Sequence, residues 1–396
     1  MNSSDQQIAE FLTRSVENVY PKREALEMML ESGKTIRVYL GVDPTGPTLH
    51  IGHAIAMRKL AELQRMGHEV ILLIGDFTAM IGDPTDKTAT RKRLTREEVL
   101  DNCKTYQEQA SKILNFSGSN PAKLMFNSEW LRKMTLEDAL ELASHYTVQQ
   151  MMERDMFAKR WEAKKEIHLP EFLYPLMQGY DSVAMDVDLE IGGNDQTFNM
   201  LVGRTLMREI KGKEKMVMTI KLLADATGKK MGKTEGNMIS LADSGEEMYG
   251  KVMSWTDGMI LSGFELCTDV PVNEIVEIGK KMEAGENPVE FKHRLAYEIV
   301  AGFIDDASAD HAAEQFMSVH KAGEVPDDVS ELSVGAGMTL ADVLVGSELV
   351  PSKAEVRRQI SQGGVKVDGV VAEDQMMMVK AGSIIQKGKR FFVRAV

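Results

Sequence analysis

Cysteine is nearly missing from this chain: two residues, Cys103 and Cys267, in 396. Two are too few for a disulfide framework or a thiolate metal cluster, and they fit a reducing compartment, so the expected location is the cytoplasm. Long apolar runs are missing too. No stretch approaches the roughly 18 apolar residues of a membrane-spanning helix. The opening residues, "MNSSDQQIAEFLTR", have neither a basic start nor an apolar core, so no signal peptide is expected. Positive charge is short as well, with 47 Lys and Arg against 60 Asp and Glu, a net charge of −13. That excludes a uniformly basic nucleic-acid binder but leaves room for a local basic patch. No internal repeat or low-complexity tract stands out. What remains is an ordinary globular composition, 43% hydrophobic over 396 residues, enough for two or three domains and a sizeable core. The 28 methionines are expected mostly to fill core positions.

Local patterns give an order of elements. "TIRVYLGV", Thr35 to Val42, reads as a buried strand, and "DPTGPT" after it is loop chemistry. From Ile51 to Met66 the residues Ile51, Ala54, Met57, Leu60, Ala61 and Gln64 trace one helical face, with Gly67 as the stop. "EVILLIG", Glu69 to Gly75, is the next buried strand. Strand, helix and strand in that succession predict a βαβ unit and a parallel sheet. Helical patterns dominate from about Glu97 to Lys164. "DVDLEIGGNDQ" predicts another strand with a glycine-rich turn, and the chain reads as helical again from about Gly236 to Lys321. The segment "EVPDDVSELSVGAG", Glu324 to Gly337, with four acids and no base, reads as a linker. Beyond it "GGVKVDGVVA" and "KGKRFFVRAV" predict short strands in a compact unit. The expected architecture is α/β: a Rossmann-like parallel-sheet domain over 1–235, a helical domain over 236–323, a linker over 324–337 and a small α+β domain over 338–396.

His50 and His53 sit three apart where the first strand's loop becomes a helix. Ligands of open parallel sheets bind at such a place, and a helix N-terminus attracts anions. Two imidazoles add donors there, and Gly52 between them leaves room for a flat ring or a phosphate. The constellation suits a nucleoside triphosphate; two capping or surface histidines are the plainer alternative. A metal site is disfavoured, because the spacing is not that of paired zinc-binding histidines on a helix and no catalytic glutamate accompanies it. "GKKMGKTEGN", Gly228 to Asn237, places lysines in a glycine-punctuated loop that can fold over a triphosphate. "GDPTDKTATRKR", Gly82 to Arg93, is a second basic loop after a strand. Either loop alone is equally readable as a solvated basic surface.

Taken together, "HIGH" and "KMGKT", in that order and about 180 residues apart, resemble the two signatures of class I aminoacyl-tRNA synthetases. Gly232 and Thr234 stand where that class has two serines, a variant common in its tyrosyl branch. "YLGVDPTGPTLHIGH", "LIGDFTAMIGDPTDK", "NSEW", "YPLMQGYDS", "GGNDQ" and "KMGKT" resemble the tyrosyl-tRNA synthetase family, bacterial type, over essentially the whole chain. The resemblance implies that Tyr39 and Asp181 bond a substrate phenol hydroxyl, while Tyr174, Gln178 and Asp83 hold its ammonium group. Asp43 and Gln196, with Gly192 and Asp195, would line the carboxylate and ribose side; Leu40 departs from the small polar residue some members carry there. Thr45, His50 and His53 would meet the ATP phosphates, and Lys87, Arg91, Lys230, Lys233 and Thr234 would clamp the leaving pyrophosphate. Tyr39 with Asp181 favours a phenol over an indole, hence tyrosine over tryptophan. ATP with Mg²⁺, L-tyrosine, tRNA(Tyr) and a second copy of the chain are the implied cofactors and partners. A non-catalytic RNA-binding protein on the same fold is the competing class of reading.

"PSKAEVRRQISQGGVKVDG", Pro351 to Gly369, resembles the S4 RNA-binding domain. From Pro351 to Val396 there are nine Lys and Arg against four Asp and Glu, a local +5 in a chain of −13. Phosphate-backbone binding needs such a reversal, and Lys353, Arg357, Arg358 and Lys366 are the candidate tRNA contacts.

Overall fold

The computed structural model describes residues 3–83, 94–224, 238–322, 329–335, 337–347, 349–350, 352–388 and 391–396. It divides into two compact units, 1–309 and 310–396. The first is built on a six-stranded sheet of β1 (Val16–Tyr20), β2 (Arg37–Val42), β3 (Glu69–Ile74), β4 (Lys123–Phe126), β5 (Leu189–Gly193) and β6 (Met216–Ile220), in the order β1-β6-β5-β2-β3-β4. Five strands run parallel; β1 alone is antiparallel, against β6. The chain leaves β2 to build β3 and β4 on one side and returns to place β5 and β6 on the other. The point where the order reverses therefore lies between β2 and β5, and in open parallel sheets the ligand crevice lies at that point, outside the strands' C-terminal ends.

The expected βαβ unit is present: β2, the helix Ile51–Arg65, then β3. Ile51, Ala54, Met57, Leu60, Ala61 and Gln64 are all buried along that helix. Three strands of this sheet escape sequence reading. β4 lies inside the stretch read as helical, and β1 and β6 are short strands with no alternation or turn signal to mark them. The helices Gly245–Met253, Ile260–Cys267, Val272–Glu283 and Pro288–Phe303 answer the helical pattern after 236. They do not stand apart from the sheet domain, however, because most of the segment read as a separate helical domain lies in the same compact unit. Arg14 reaches across to the carbonyls of Glu265 at 3.1 Å, Phe264 at 3.2 Å and Thr268 at 2.6 Å, and Arg58 pairs with Asp269.

The second unit carries a sheet of β7 (Ser330–Leu332), β8 (Val365–Val367), β9 (Val370–Val371), β10 (Ile384–Lys387) and β11 (Phe391–Ala395), in the order β7-β11-β10-β8-β9. Its core joins Leu340, Val343 and Leu344 of one helix to Val356 of another and to Val365, Ile385 and Val393 of the sheet. β7 corrects the linker reading. Its residues fall within 324–337, yet they pair in parallel with β11, Val393 opposite Ser330. An acidic composition hid a strand whose partner lies some 60 residues further on. No helix among the described residues is long and apolar enough to cross a membrane.

Candidate active site

His50 is the N-cap of the helix Ile51–Arg65, in extended backbone conformation. Its Nδ1 accepts from the Gly52 N–H at 3.2 Å, and the Nδ1 of His53 accepts from the His50 N–H at 3.2 Å. The rings stack with centroids 3.7 Å apart. The capping alternative is thus realised. Accepting at Nδ1 places the ring proton of a neutral imidazole on Nε2. A methyl at Gly52 would lie 3.0 Å from the His50 ring, a tight contact that the ring would have to yield to by a few tenths of an ångström.

Segments distant in sequence are strapped to this turn. The Ile51 N–H donates to the Ile239 carbonyl and the Leu241 N–H to the Leu49 carbonyl, each at 2.9 Å. Leu222 and Leu223 line one small pocket with His50, Gly52 and Met238. The chain therefore enters and leaves the "KMGKT" stretch beside "HIGH". Lys230, Lys233 and Thr234, like Lys87 and Arg91, lie outside the described residues.

Two hydrogen-bonded chains of side chains line the crevice. In the first, Tyr174 donates to Asp43 Oδ2 at 2.8 Å and Thr78 to Asp43 Oδ1 at 2.7 Å. Asn127 donates to Thr78 at 3.0 Å and to Asp181 Oδ2 at 3.3 Å, and Trp130 donates to Asp181 Oδ1 at 2.7 Å. In the second, Arg154 donates to Asp83 at 3.0 Å and Gln196 to Asp83 at 2.6 Å. Asn199 bridges Gln196 at 3.0 Å and Gln178 at 2.9 Å, and Gln178 donates to Glu190 at 3.1 Å. Glu190 pairs with Lys215, Lys215 donates to Ser182 at 2.9 Å, and Ser182 meets the Tyr39 hydroxyl at 3.0 Å.

Local structure explains the placement. Tyr174, Gln178 and Asp181 share a face of the helix Leu169–Met185, whose first turn is closed by the His168–Glu171 capping box. Tyr39 and Glu190 are register neighbours across β2 and β5. Gly192, one residue before the end of β5, lies against Met200, where a methyl would lie 2.8 Å from its sulfur, and Asp195 sits in the short turn after the strand. The Thr45 N–H turns back onto the Asp43 carbonyl at 2.8 Å. These hydrogen bonds and the shared helix Leu169–Met185 bring Tyr39, Asp43, Asp83, Tyr174, Gln178, Asp181 and Gln196 together. Tyr39 and Asp181 come together without bonding each other: each hydroxyl or carboxyl oxygen is held by a neighbour, Ser182 in one case and Asn127 with Trp130 in the other.

Burial dominates the electrostatics. It pushes the Tyr39 hydroxyl well above the tyrosine range, helped by the nearby Glu190 and Asp181 carboxyls. Tyr174 is pushed up likewise by burial and by Asp43 and Asp83. Burial also raises Asp181, while the Trp130 and Asn127 donors pull the other way. Lys215 is lowered by burial, and Glu190 opposes that. Both tyrosines therefore stay protonated donors at neutral pH. Among the described residues no group of three or more His, Cys, Asp or Glu could hold a metal ion.

Sequence reading missed Thr78, Asn127, Trp130, Arg154, Ser182, Glu190, Asn199 and Lys215. A signal existed for some of them. Asn127 and Trp130 belong to "NSEW", and Glu190 and Lys215 are charges abutting apolar strand runs. Thr78 lies in "LIGDFTAMIGDPTDK" and Ser182 closes "YPLMQGYDS"; nothing local marks Arg154 or Asn199.

In the second unit Arg357 is exposed, and Lys366 points away from the buried Val365 and Val367. Arg358 is held by Glu355 at 2.6 and 2.9 Å, and Lys353 pairs with Asp342 at 2.6 Å.

A family model described as tRNA synthetases class I (W and Y) matches residues 31–321, and an S4 domain model matches 338–385. The chain belongs to the class I tRNA synthetases of the W and Y type. Among its relatives, a tyrosine–tRNA ligase of Thermotoga maritima is 46% identical, over 97% of this chain and 96% of its own length. A tyrosine–tRNA ligase of Haemophilus ducreyi is 42% identical over 100% and 99%. A solved structure of the C-terminally truncated mitochondrial tyrosyl-tRNA synthetase of Coccidioides posadasii superposes with a TM-score of 0.64 at 25% identity, covering 79% of this chain and 92% of that one. Within the W and Y type, the tyrosyl branch is the one its relatives share.

Proposed function

We propose that the chain is a tyrosine–tRNA ligase: it activates L-tyrosine with ATP and transfers the tyrosyl group to tRNA(Tyr). The observation that carries the reading is that one short loop runs from β2, which holds Tyr39, through Asp43, bonded to Tyr174, to the two histidines at the helix N-terminus. Tyrosine lies with its phenol between Tyr39 and Asp181 and its ammonium toward Tyr174, Gln178 and Asp83. Asp43, Gln196, Gly192 and Asp195 line its carboxylate and the ATP ribose. The carboxylate oxygen attacks the α-phosphorus, a mixed anhydride forms, and pyrophosphate leaves. No protein nucleophile is needed. Catalysis is positioning plus stabilisation of charge at a crowded phosphorus. The Nε2 edges of His50 and His53, with Thr45, face the phosphates, and Lys87, Arg91, Lys230, Lys233 and Thr234 take the pyrophosphate. A ribose hydroxyl at the tRNA 3′ end then attacks the tyrosyl carbonyl and AMP leaves. Mg²⁺ enters with ATP as the counterion of its phosphates.

Lys353, Arg357, Arg358 and Lys366 form the RNA side of the second unit. For Lys353 and Arg358 a phosphate replaces a surface carboxylate, an exchange of like for like that costs little. Exposed Leu136, Leu140, Val148, Trp161 and Leu169, at 64–80% exposure on neighbouring helices of the first unit, support a homodimer through that face. Both cysteines are free, which supports a cytoplasmic site of action.

The test is ATP–pyrophosphate exchange with each of the twenty amino acids, followed by tRNA charging. Exchange driven by tyrosine alone is the expected result. Exchange with tryptophan, or none at all, overturns the reading; the second outcome leaves an RNA-binding protein on a synthetase fold.

A further inference from the structure

Beneath the crevice lies a buried ion pair that the chemistry above does not use. Lys215 immediately precedes β6, and Glu190 lies in β5 beside Tyr39. Their side chains are 0% and 3% exposed. Each has a second bond. Lys215 Nζ donates to Ser182 Oγ at 2.9 Å, and Glu190 Oε1 accepts from Gln178 Nε2 at 3.1 Å. Ser182 meets the Tyr39 hydroxyl at 3.0 Å. One unbroken chain thus runs from Tyr39 through Ser182, Lys215 and Glu190 to Gln178, and the Lys215 ammonium lies 5.9 Å from the centre of the Tyr39 ring.

A buried ion pair is a costly way to fill this space, since hydrophobic residues of similar volume commonly stabilise as well or better. The surroundings are nevertheless shaped for it. A methyl group at Gly203 would lie 2.6 Å from Lys215 Nζ and 2.9 Å from Ser182 Oγ, so the helix Thr197–Lys211 opens by one side chain to admit the ammonium. A serine hydroxyl has one proton and two lone pairs and can rotate. An ammonium only donates, so Lys215 occupies one lone pair and leaves the proton and the other lone pair to share the remaining two directions, one of them toward Tyr39. The Ser182 oxygen is thereby held in place beside the Tyr39 hydroxyl.

We propose that Lys215 is a specificity-determining positioning residue: through Ser182 it holds the Tyr39 hydroxyl where a substrate phenol meets it, and through Glu190 it ties that end of the pocket to Gln178 at the ammonium end. The proposal rests on the tyrosine pocket described above. An amino acid without a phenol hydroxyl gains nothing at Tyr39, so the effect of Lys215 is confined to tyrosine.

Two full-length variants test it. Ser182→Ala cuts the relay and leaves the ion pair whole. Lys215→Met combined with Glu190→Gln removes both charges together and so leaves no lone buried charge. The measurements are kcat and KM for tyrosine and for phenylalanine in pyrophosphate exchange, with the melting temperature alongside. Ser182→Ala is expected to lower kcat/KM for tyrosine about tenfold, the weight of one buried hydrogen bond, chiefly through KM, and that for phenylalanine less than about twofold. The double variant is expected to shift the tyrosine-to-phenylalanine ratio in the same direction. A lower melting temperature with an unchanged ratio would mean a merely structural pair and overturn the proposal, as would equal losses for the two amino acids. Absence of tyrosine-dependent exchange in the unaltered chain overturns the pocket reading itself and is seen before either variant is made.

Discussion

Replacing Gly75 by alanine would place a methyl carbon 1.9 Å from Asp43 Oδ1 and 2.4 Å from Thr78 Oγ1. Gly75 follows β3 and Asp43 follows β2, so the two stand side by side at the strand ends, where the Gly75 N–H donates to the Val42 carbonyl at 2.9 Å. Real carbon contacts do not fall below 3.0 Å, so the Asp43 carboxylate must retreat by about 1.1 Å. It cannot do so alone, because Tyr174 and Thr78 both hold it. A misplacement of about 1 Å in a positioned group costs on the order of 10²-fold in rate, and overpacking costs roughly 1–3 kcal/mol of stability. Gly75→Ala should therefore lower kcat/KM for tyrosine-dependent pyrophosphate exchange about 10²-fold in a protein that still folds. Gly250→Ala is the control. It lies within the helix Gly245–Met253 with nothing within 4 Å of the added methyl, and it should leave exchange unchanged while stabilising by up to about 1 kcal/mol. Exchange, circular dichroism and thermal melting on the three proteins settle the matter. If folded Gly75→Ala keeps its kcat/KM within about threefold of the parent, the placement of Asp43 at the reacting end is wrong.

His50→Ala removes the acceptor for the Gly52 N–H and a donor edge at the phosphates; it should slow pre-steady-state adenylation by on the order of 10²-fold and lower helix stability by about 1 kcal/mol, with tyrosine affinity nearly unchanged. An undiminished adenylation rate would remove His50 from the phosphate site. Burial pushes the Cys267 thiol from 9.0 up to about 12, so the folded chain keeps a proton that the unfolded chain loses first. Its stabilisation is complete below pH 9 and is lost as pH rises toward 12; melting temperatures across that window should fall less steeply for Cys267→Ala than for the parent. A chain ending before Ser330 leaves no β7 stranded without β11. It should still form tyrosyl-adenylate but charge tRNA poorly, with the log–log salt slope of tRNA binding reduced by about one unit for each phosphate no longer neutralised. Full charging by the shortened chain would make Arg357 and its neighbours an ordinary solvated surface.

Much of this was legible along the chain because it depends on short-range physics. The 3.6-residue period of Ile51 to Gln64 and the apolar runs of β2 and β3 are each set by a residue's own neighbours. The same holds for Tyr174, Gln178 and Asp181 on one helical face, since helix geometry alone fixes their spacing. The resemblance of "HIGH", "KMGKT" and "YPLMQGYDS" then carried those residues to one family. β4 was lost because four residues, "KLMF", are too few to show a period amid helical surroundings. β7 was lost because its composition is a linker's, and only β11 makes it a strand.

By itself, the sequence determined the class of the chain, the order of its elements and which side chains could meet a phosphate or a phenol. Tertiary structure decided what those side chains touch. Glu190 and Lys215 read as charges beside two unrelated apolar runs until β5 takes its place between β2 and β6, which sets Glu190 beside Tyr39 and brings Lys215 to it. Trp130 has no partner within reach in sequence; it finds Asp181 only when β4 and the helix Leu169–Met185 close on the same crevice. A period or a cap is an interaction between residues a few positions apart, and a sequence displays it directly. A buried polar contact depends on strand order and register across 25 to 50 residues and more, and the chain states these only once it has folded.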